Sequence, residues 1–279
     1  MAIGAQYLPD AEAILSHRQD NGGDLWATAD KRLIKGAPFS TLECVQYLLE
    51  LGMEPDDPVL QAATELIFST WQPDGRFKLA PQGAIYPCHT VIAAEVLCLL
   101  GYAGDPRLQK TFCHLLDTQY KDGGWRCNKF SFGRGPETEY ANPLPTLTAL
   151  GAFRHSHHLN QTPALDNAVA FLLRHWTIKK PIGPCHYGIG TLFMQVEYPF
   201  RGYNLFVYVY TLSFYARARR DARFLEALAA LQAKTVNGQM MVERVVPKLA
   251  RLGFCQKGRP SALATRRYQE ILANVALDA

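Results

Sequence analysis

Cysteine and histidine side chains recur in three long segments of the sequence that share no repeated pattern. Cys88-His89, Cys127 and Cys185-His186 lie in these segments. Thiolate and imidazole groups are the ligands that Zn²⁺ prefers, in tetrahedral sets of three or four. Two cysteines and one histidine leave a position open, at which zinc can activate a substrate thiol or a water molecule. We therefore predict zinc as a cofactor. The predicted ligands are Cys127, Cys185 and His186, with Cys88 or His89 as a further ligand.

The same cysteines have a second interpretation as core residues, because unpaired cysteine is among the most frequently buried residue types. Cys113-His114 repeats the pair inside an amphipathic helix, where no site is expected. The chain has seven cysteines, an odd number, and Met1–His17 shows no basic region followed by an apolar run. We therefore expect reduced thiols and a cytoplasmic location.

Aromatic side chains are concentrated in one predicted helix. Their ring faces can hold a long apolar chain, or they can stabilise a carbocation by cation–π attraction. The alternative is that large rings fill the core. The candidate substrate-binding rings are Tyr203, Phe206, Tyr208 and Tyr210.

Charged side chains distinguish the segment Arg126–Asn142. Lys129 and Arg134 could receive a diphosphate or another anion, and Glu137 or Glu139 could act as acid or base. The alternative for all four is a solvated loop.

A turn rich in Asp, Asn and Gly organises the chain. It occurs at 19–23, 72–77 and 119–125, with fainter copies at 176–183 and 232–238. A period of this length, about 50 residues, fits a pair of helices with their connections. The glycines that mark the turns are Gly22, Gly75, Gly123, Gly183 and Gly238.

Two kinds of helix alternate between the turns. The first kind is apolar nearly all round, which predicts burial on two sides, whereas the second is amphipathic. Asp57-Pro58 and Asp105-Pro106 are predicted to open helices of the second kind, with Asp as the cap and Pro at the first helical position, and later units are predicted to start at Thr162-Pro163 and Asp221. The predicted fold is all-α: an α/α toroid of about five helical hairpins, forming a single domain over residues 1–279. The predicted apolar helices are Ser40–Leu51, Thr90–Leu100, Leu144–Phe153 and Tyr203–Tyr215, and the predicted amphipathic helices include Asp105–Thr118 and Asp221–Gln232.

The turn Gln119-Tyr120-Lys121-Asp122-Gly123-Gly124-Trp125 resembles the QW repeat of the squalene cyclase and protein prenyltransferase superfamily, whose members are α/α toroids. The resemblance implies a prenyltransferase-like or terpenoid-cyclase-like enzyme acting on a hydrophobic or thiol-bearing substrate. The Cys-His pairs are similar to the zinc ligands of lanthionine synthetase cyclases, another α/α toroid family. Protein prenyltransferases are heterodimers, and the sequence leaves open whether a helical partner subunit exists. The Asp-x-Asp-Asp acid motif of squalene–hopene cyclases is absent.

Composition excludes several classes of protein. The hydrophobic fraction is 48%, the charged fraction is 19% and the net charge is +4, so the chain is neither disordered nor strongly basic. We expect no nucleic-acid partner, because the only dense basic run, Arg217–Arg223, is typical of a helix end. No apolar run is long enough to span a membrane, and no nucleotide-binding fingerprint occurs.

Three functions remain open from the sequence. The first is the enzyme described above, with or without zinc. The second is a non-catalytic toroid that binds a lipid or peptide in an aromatic cavity. The third is a metal-free terpenoid cyclase, which needs a cavity acid; the candidates are Glu137 and Glu139, followed by Glu197.

Overall fold

The computed structural model describes residues 3–277, which confirm the all-α prediction. The α-helices are α1 (Leu8–Ser16), α2 (Thr41–Glu50), α3 (Pro58–Phe68), α4 (Pro87–Leu99), α5 (Pro106–Asp117), α6 (Pro143–Phe153), α7 (Pro163–Ile178), α8 (Leu205–Leu212), α9 (Ala216–Arg219), α10 (Ala222–Gln232) and α11 (Ala262–Ala276). Short 3₁₀ helices lie at Ala5–Tyr7, Pro136–Glu139, Pro247–Leu249 and Gly253–Cys255. β1 (Thr235–Val236) pairs antiparallel with β2 (Gln239–Met240), Thr235 opposite Met240. None of the helices described is long and apolar enough to cross a membrane.

The chain divides into two compact units. Unit 1 is the part before Thr118 together with Arg251–Phe254, and unit 2 comprises Thr118–Ala250 and the segment from Cys255 onward. In unit 1, α2 packs against α1, α3 and α4, and α4 also contacts α3 and α5. In unit 2, α6 packs against α7 and α8, and α8 also contacts α10 and α11. The prediction that a single toroidal domain covers residues 1–279 stays a prediction.

The two kinds of helix differ in burial as their patterns predict. Helix α6 buries nine of its eleven residues. Helix α5 buries Leu108, Phe112 and Leu115 on one face and exposes Lys110 on the other. Burial of apolar side chains stabilises the fold by about 25 cal/mol per Å² removed from water. The doubly buried helices therefore contribute most of the core.

The predicted caps are confirmed at Asp57 and Asp105, and of the two later predicted starts Asp221 also caps its helix, whereas Thr162 precedes α7 without a side-chain cap. The carboxylates of Asp57, Asp105 and Asp221 accept hydrogen bonds from the backbone N–H two residues later, at 2.8, 2.8 and 2.9 Å. Each carboxylate satisfies a donor that has no partner within the helix.

The predicted helix Tyr203–Tyr215 is too long. Helix α8 begins at Leu205, because the Asn204 side chain accepts from the N–H groups of Phe206 and Val207 at 3.0 and 3.1 Å. It ends after Leu212, and α9 follows as a separate short helix. An asparagine before an apolar run is a cap signal, so this boundary was available in the sequence.

All five glycines of the predicted turns have positive φ angles, between +75° and +98°. At Gly123, φ is +98°, and an added Cβ would lie 2.4 Å from the carbonyl oxygen of Asn167. The turn that precedes residues 126–142 in unit 2 therefore packs closely against α7. Its backbone has a conformation that favours glycine. At Gly101, φ is +90°, but an added Cβ would meet nothing within 4 Å.

We expect Gly123→Ala to lower the free energy of unfolding by about 2–3 kcal/mol, from backbone strain together with the clash. Gly101→Ala is the matched control, because it carries the strain without the clash and should cost only about 1 kcal/mol. Thermal unfolding midpoints of both variants test this. Equal midpoints would show that the contact with Asn167 contributes nothing.

Candidate active site

The long loop of unit 2 starts from a turn that is anchored on two helices. The Gln119 side-chain amide donates to the carbonyls of Gly123 and Ala164, at 2.6 and 2.7 Å. The Trp125 N–H donates to Thr146 Oγ1 at 3.0 Å. Because Ala164 lies on α7 and Thr146 on α6, the position of the next residues is fixed by both helices.

Asn142 holds the end of this loop against its beginning. Its N–H donates to the Trp125 carbonyl at 2.9 Å, and its Oδ1 accepts from the Cys127 N–H at 3.2 Å. The residue is fully buried, and its Nδ2 has no hydrogen-bond partner among the residues described. Asn142 precedes α6 but does not cap it with its side chain. Its side-chain amide instead accepts the hydrogen bond from Cys127 in the loop.

The structure brings the segments of Cys127 and Cys185 near each other, because the Cys127 N–H donates to Asn142 Oδ1 and the turn at Gly183 packs on Asn142. Cys127 is buried, whereas Cys185 is half-buried. Burial and the neighbouring Cys127 raise the pKa of the Cys185 thiol to about 11, against a smaller opposing effect of Asn142. The Cys185 thiol is therefore protonated at neutral pH.

His186 pairs with Glu137. His186 Nε2 lies 3.4 Å from Glu137 Oε1, and both side chains are 35% exposed. The Gly183 N–H also donates to the Glu137 carbonyl at 2.8 Å. The loop and the turn Ile182–Tyr187 are therefore linked by main chain and side chain together.

The remaining predicted zinc ligands lie in unit 1, at the start of α4. Cys88 is exposed, and burial lowers the pKa of His89, whose Nδ1 makes no hydrogen bond among the described groups. Over residues 3–277, no three or more His, Cys, Asp or Glu side chains are grouped so that they could hold one metal ion. The zinc site stays a prediction from sequence.

The other predicted charged residues of the loop face water. Lys129, Arg134 and Glu139 are exposed. Their positions agree with the alternative of a solvated loop, and anion binding by Lys129 and Arg134 stays a prediction.

The predicted aromatic residues anchor α8 to its neighbours. Phe206 and Tyr208 are fully buried. The Tyr208 hydroxyl donates to the Leu172 carbonyl at 3.1 Å, and the Tyr210 hydroxyl donates to Glu270 Oε2 at 2.7 Å. These hydroxyl groups are therefore used by the fold, and the full burial of Phe206 and Tyr208 agrees with the alternative that large rings fill the core.

Phe200 is the centre of one aromatic cluster. Its ring lies 4.9 Å from Phe206 and 5.0 Å from Tyr210, measured between centroids, and it is partly exposed. The Arg154 guanidinium lies 4.9 Å from the centroid of Tyr210 and 4.2 Å from that of Phe214. The faces of these rings thus already accept a cation.

Glu197 is a buried carboxyl group beside this cluster in sequence, three residues before Phe200. It is 7% exposed. Its segment pairs in parallel with Arg244, and Arg244 Nη1 lies 3.4 Å from Glu197 Oε2. Burial raises the pKa of Glu197, and the charges of Arg244 and Arg201 oppose that shift less strongly. The proton is therefore held more firmly than on an exposed glutamate.

A histidine and a tyrosine form a second buried polar pair. His175 Nε2 lies 3.1 Å from the Lys180 carbonyl, and Nδ1 lies 2.8 Å from the Tyr203 hydroxyl. A carbonyl can only accept, so Nε2 carries the proton and Nδ1 accepts from Tyr203. Burial lowers the pKa of His175 to about 4. The imidazole is therefore neutral at neutral pH.

Sequence reasoning ranked Glu197 last among its acids and did not single out Asn142, His175 or Arg244. The sequence carried a weak signal for Asn142, which precedes Pro143 at a helix start. It carried none for His175 or Arg244, because their partners lie on segments that only folding brings together.

The sequence matches no protein-family model and no curated protein. Among solved structures, the fold is similar to that of the type II terpene cyclase MstE from Scytonema. A variant of MstE in complex with its substrate, geranylgeranyl dihydroxybenzoate, gives a TM-score of 0.52 at 15% identity, covering 98% of this chain and 84% of that chain. Apo MstE gives a TM-score of 0.45 at 13% identity, covering 97% and 80%. The first similarity shows a terpene-cyclase-like fold.

We expect the neutral His175 to make the protein sensitive to acid. The unfolded-state pKa is near 6.5 and the folded value is about 4, so the unfolded state binds more protons between these values. The stabilisation is complete above pH 6.5 and is lost as pH falls toward 4. It amounts to about 3 kcal/mol, because one pKa unit corresponds to about 1.4 kcal/mol.

The measurement is the free energy of unfolding between pH 4 and 7 for wild type, His175→Gln and His157→Gln. The exposed His157 is the control and should leave the pH dependence unchanged. The prediction is wrong if His175→Gln unfolds with the same pH dependence as wild type.

Proposed function

We propose that the protein is a terpenoid-cyclase-like enzyme that protonates a prenyl chain and closes it into rings, without a metal. Similarity of fold to a cyclase whose substrate carries a geranylgeranyl group supports the class of substrate. The observation that carries the proposal is the buried carboxyl group of Glu197, which lies three residues before Phe200 of the aromatic cluster in the chain.

Two features of its surroundings suit Glu197 to be the acid, one before the proton is transferred and one after. Burial raises the pKa of its carboxyl group, because the charged form is disfavoured in a dry environment, so the proton is held more firmly than on an exposed glutamate. Once the proton has moved to a substrate carbon, the nearby Arg244 stabilises the carboxylate that is left. Arg201 adds a second positive charge in the same sense.

The other two acidic candidates are less suited to this step. Glu137 is one-third exposed and already faces His186 at 3.4 Å. Glu139 is exposed. Water would compete with an alkene for a proton at either position, whereas Glu197 is shielded from water.

The aromatic cluster supplies what the protonated substrate needs. Proton transfer to an alkene carbon leaves a carbocation, which the next double bond of the chain attacks to close a ring. A ring face such as that of Phe200 stabilises a cation without forming a bond to it. Loss of a proton to a base at the end makes the product an isomer of the substrate.

We expect Glu197→Gln to lower the cyclisation rate at least about 100-fold, since positioned acid catalysis contributes about 10²–10⁴. The substrate to test first is geranylgeranyl dihydroxybenzoate, followed by shorter and longer all-trans prenyl analogues. The measurement is chromatographic separation of an isomeric product with unchanged mass. Glu139→Gln is the matched control, with turnover within about twofold of wild type.

Two results would contradict the proposal. One is wild-type turnover by Glu197→Gln, which would remove its acid. The other is prenyl ligand binding by wild type and Glu197→Gln alike, with no product from any substrate, which would favour the non-catalytic lipid-binding toroid.

A further inference from the structure

Val196, the residue directly before Glu197, is held by hydrogen bonds at both of its main-chain polar groups. Its N–H donates to Glu243 Oε2 at 2.9 Å, and its carbonyl accepts from the N–H groups of Glu243 and Arg244 at 2.9 and 3.0 Å. Val196 is fully buried, so water cannot replace these partners. Glu243 therefore bonds the same residue twice, once with its main chain and once with its side chain.

The residue that follows Glu197 is fastened to the same segment. The Tyr198 N–H donates to the Arg244 carbonyl at 3.3 Å, and Tyr198 is also buried. Because the main chain is held on both sides of Glu197, its side chain can change direction only by changing rotamer. The carboxyl group is thus placed opposite Arg244, with Nη1 at 3.4 Å from Oε2.

A lysine orients the Glu243 carboxylate. Lys234 Nζ donates to Glu243 Oε1 at 2.9 Å, which leaves Oε2 to the Val196 N–H. The side chains of Lys234 and Glu243 are 28% and 33% exposed, so water screens the pair only in part. A hydrogen bond between two charged groups is stronger than one between neutral groups. The lysine therefore fixes the carboxylate so that its second oxygen faces the main chain.

We infer that Glu243, oriented by Lys234, is a positioning residue for the acid: it fixes the main chain at Val196 and so keeps the Glu197 carboxyl group in its buried place. The inference rests on the proposed function, in which Glu197 donates the proton. Glu243 acts through the main chain, since its side chain bonds Val196 and Lys234. Such a restraint is important because a displacement of about 1 Å can lower a rate about 100-fold.

Two substitutions separate the hydrogen bond of Glu243 from its charge. Glu243→Ala removes both, and it leaves the buried Val196 N–H without its acceptor. Glu243→Gln removes the charge but keeps a side-chain oxygen that can accept from the same N–H. If the hydrogen bond is what positions the acid, Glu243→Gln rescues the defect of Glu243→Ala.

The first measurement uses no substrate. The Glu197 carboxyl group is titrated by NMR in the full chain with ¹³C-labelled glutamate side chains, and Glu197→Gln supplies the assignment. Burial raises the pKa of Glu197 in wild type, and the charged groups that face it are Arg244 and Arg201. In Glu243→Ala the main chain is released and water reaches the carboxyl group, so we expect its pKa to fall. Glu243→Gln should titrate like wild type.

Lys234→Met makes the test independent of charge and of whether Glu243→Ala folds. Loss of a nearby positive charge, taken alone, raises the pKa of a carboxyl group. Release of the Glu243 carboxylate lowers the pKa of Glu197 instead, because the main chain at Val196 is held less firmly. We expect a fall in Lys234→Met, which the loss of charge cannot produce.

The second measurement is turnover of geranylgeranyl dihydroxybenzoate. We expect Glu243→Ala to lower kcat about 100-fold with little change in KM, because the acid is displaced while the substrate contacts remain. Glu243→Gln should recover most of the rate. Glu139→Ala is the matched control, because it removes an exposed acidic side chain, and its kcat should stay within about twofold of wild type.

Three results of the titration would overturn the inference. They are a wild-type pKa of Glu197 in Glu243→Ala, an equal fall in Glu243→Gln and Glu243→Ala, and an unchanged or raised pKa in Lys234→Met. A wild-type kcat in Glu243→Ala would overturn it as well. Absence of product from wild type would instead contradict the proposed function, and the titration would still decide whether Glu243 positions Glu197.

Discussion

The turn at Gly123 is the constraint on which unit 2's long loop depends. Its glycine presses against the Asn167 carbonyl in a backbone conformation that favours glycine. The position of the next residues is then fixed, because Trp125 is held by hydrogen bonds to Thr146 and Asn142. Because Asn142 also bonds Cys127, the two ends of a sixteen-residue excursion are fastened at one place. Everything between them can vary without disturbing the helices.

A glycine turn of the same kind occurs in unit 1, but a different loop follows it. Gly75 has a φ of +88°, and an added Cβ would lie 2.8 Å from the Lys110 carbonyl oxygen. The Phe77 N–H donates to Thr90 Oγ1 at 3.2 Å, as the Trp125 N–H does to Thr146. The turn thus positions the residues that follow it and does not itself determine the reaction. What differs between the units is the content of the loop that follows, which is why a repeated turn predicts fold but not reaction.

The sequence was most informative about features that depend on residues close together in the chain. Helix caps at Asp57, Asp105 and Asp221, and the glycines of the turns, depend on neighbours within a few residues, and the structure has them where they were predicted. Contacts between distant segments were harder. Repeat alignment predicts that Cys88, Cys127 and Cys185 lie at one end of the toroid; in unit 2 the segments of Cys127 and Cys185 both pack on Asn142. It could not reveal that His186 faces Glu137, since that depends on how one turn bends.

Burial distinguishes Glu197 from the two acids that the sequence ranked ahead of it. Glu137 and Glu139 stand out in a charged loop, but a loop that is conspicuous for its charges is usually one that water reaches. Glu197 is flanked by Val196 and Tyr198 and looks like an isolated charge in an apolar run. Because its neighbours in the chain are buried, Glu197 is buried with them, and burial raises its pKa.

The acid and the 126–142 loop therefore depend on different parts of unit 2. Glu197 is held through the pairing of its segment with Arg244, whereas the two ends of the loop are held through Asn142. Neither arrangement borrows a hydrogen bond from the other. A change in the loop would thus reach proton transfer only to the extent that the loop moves during turnover.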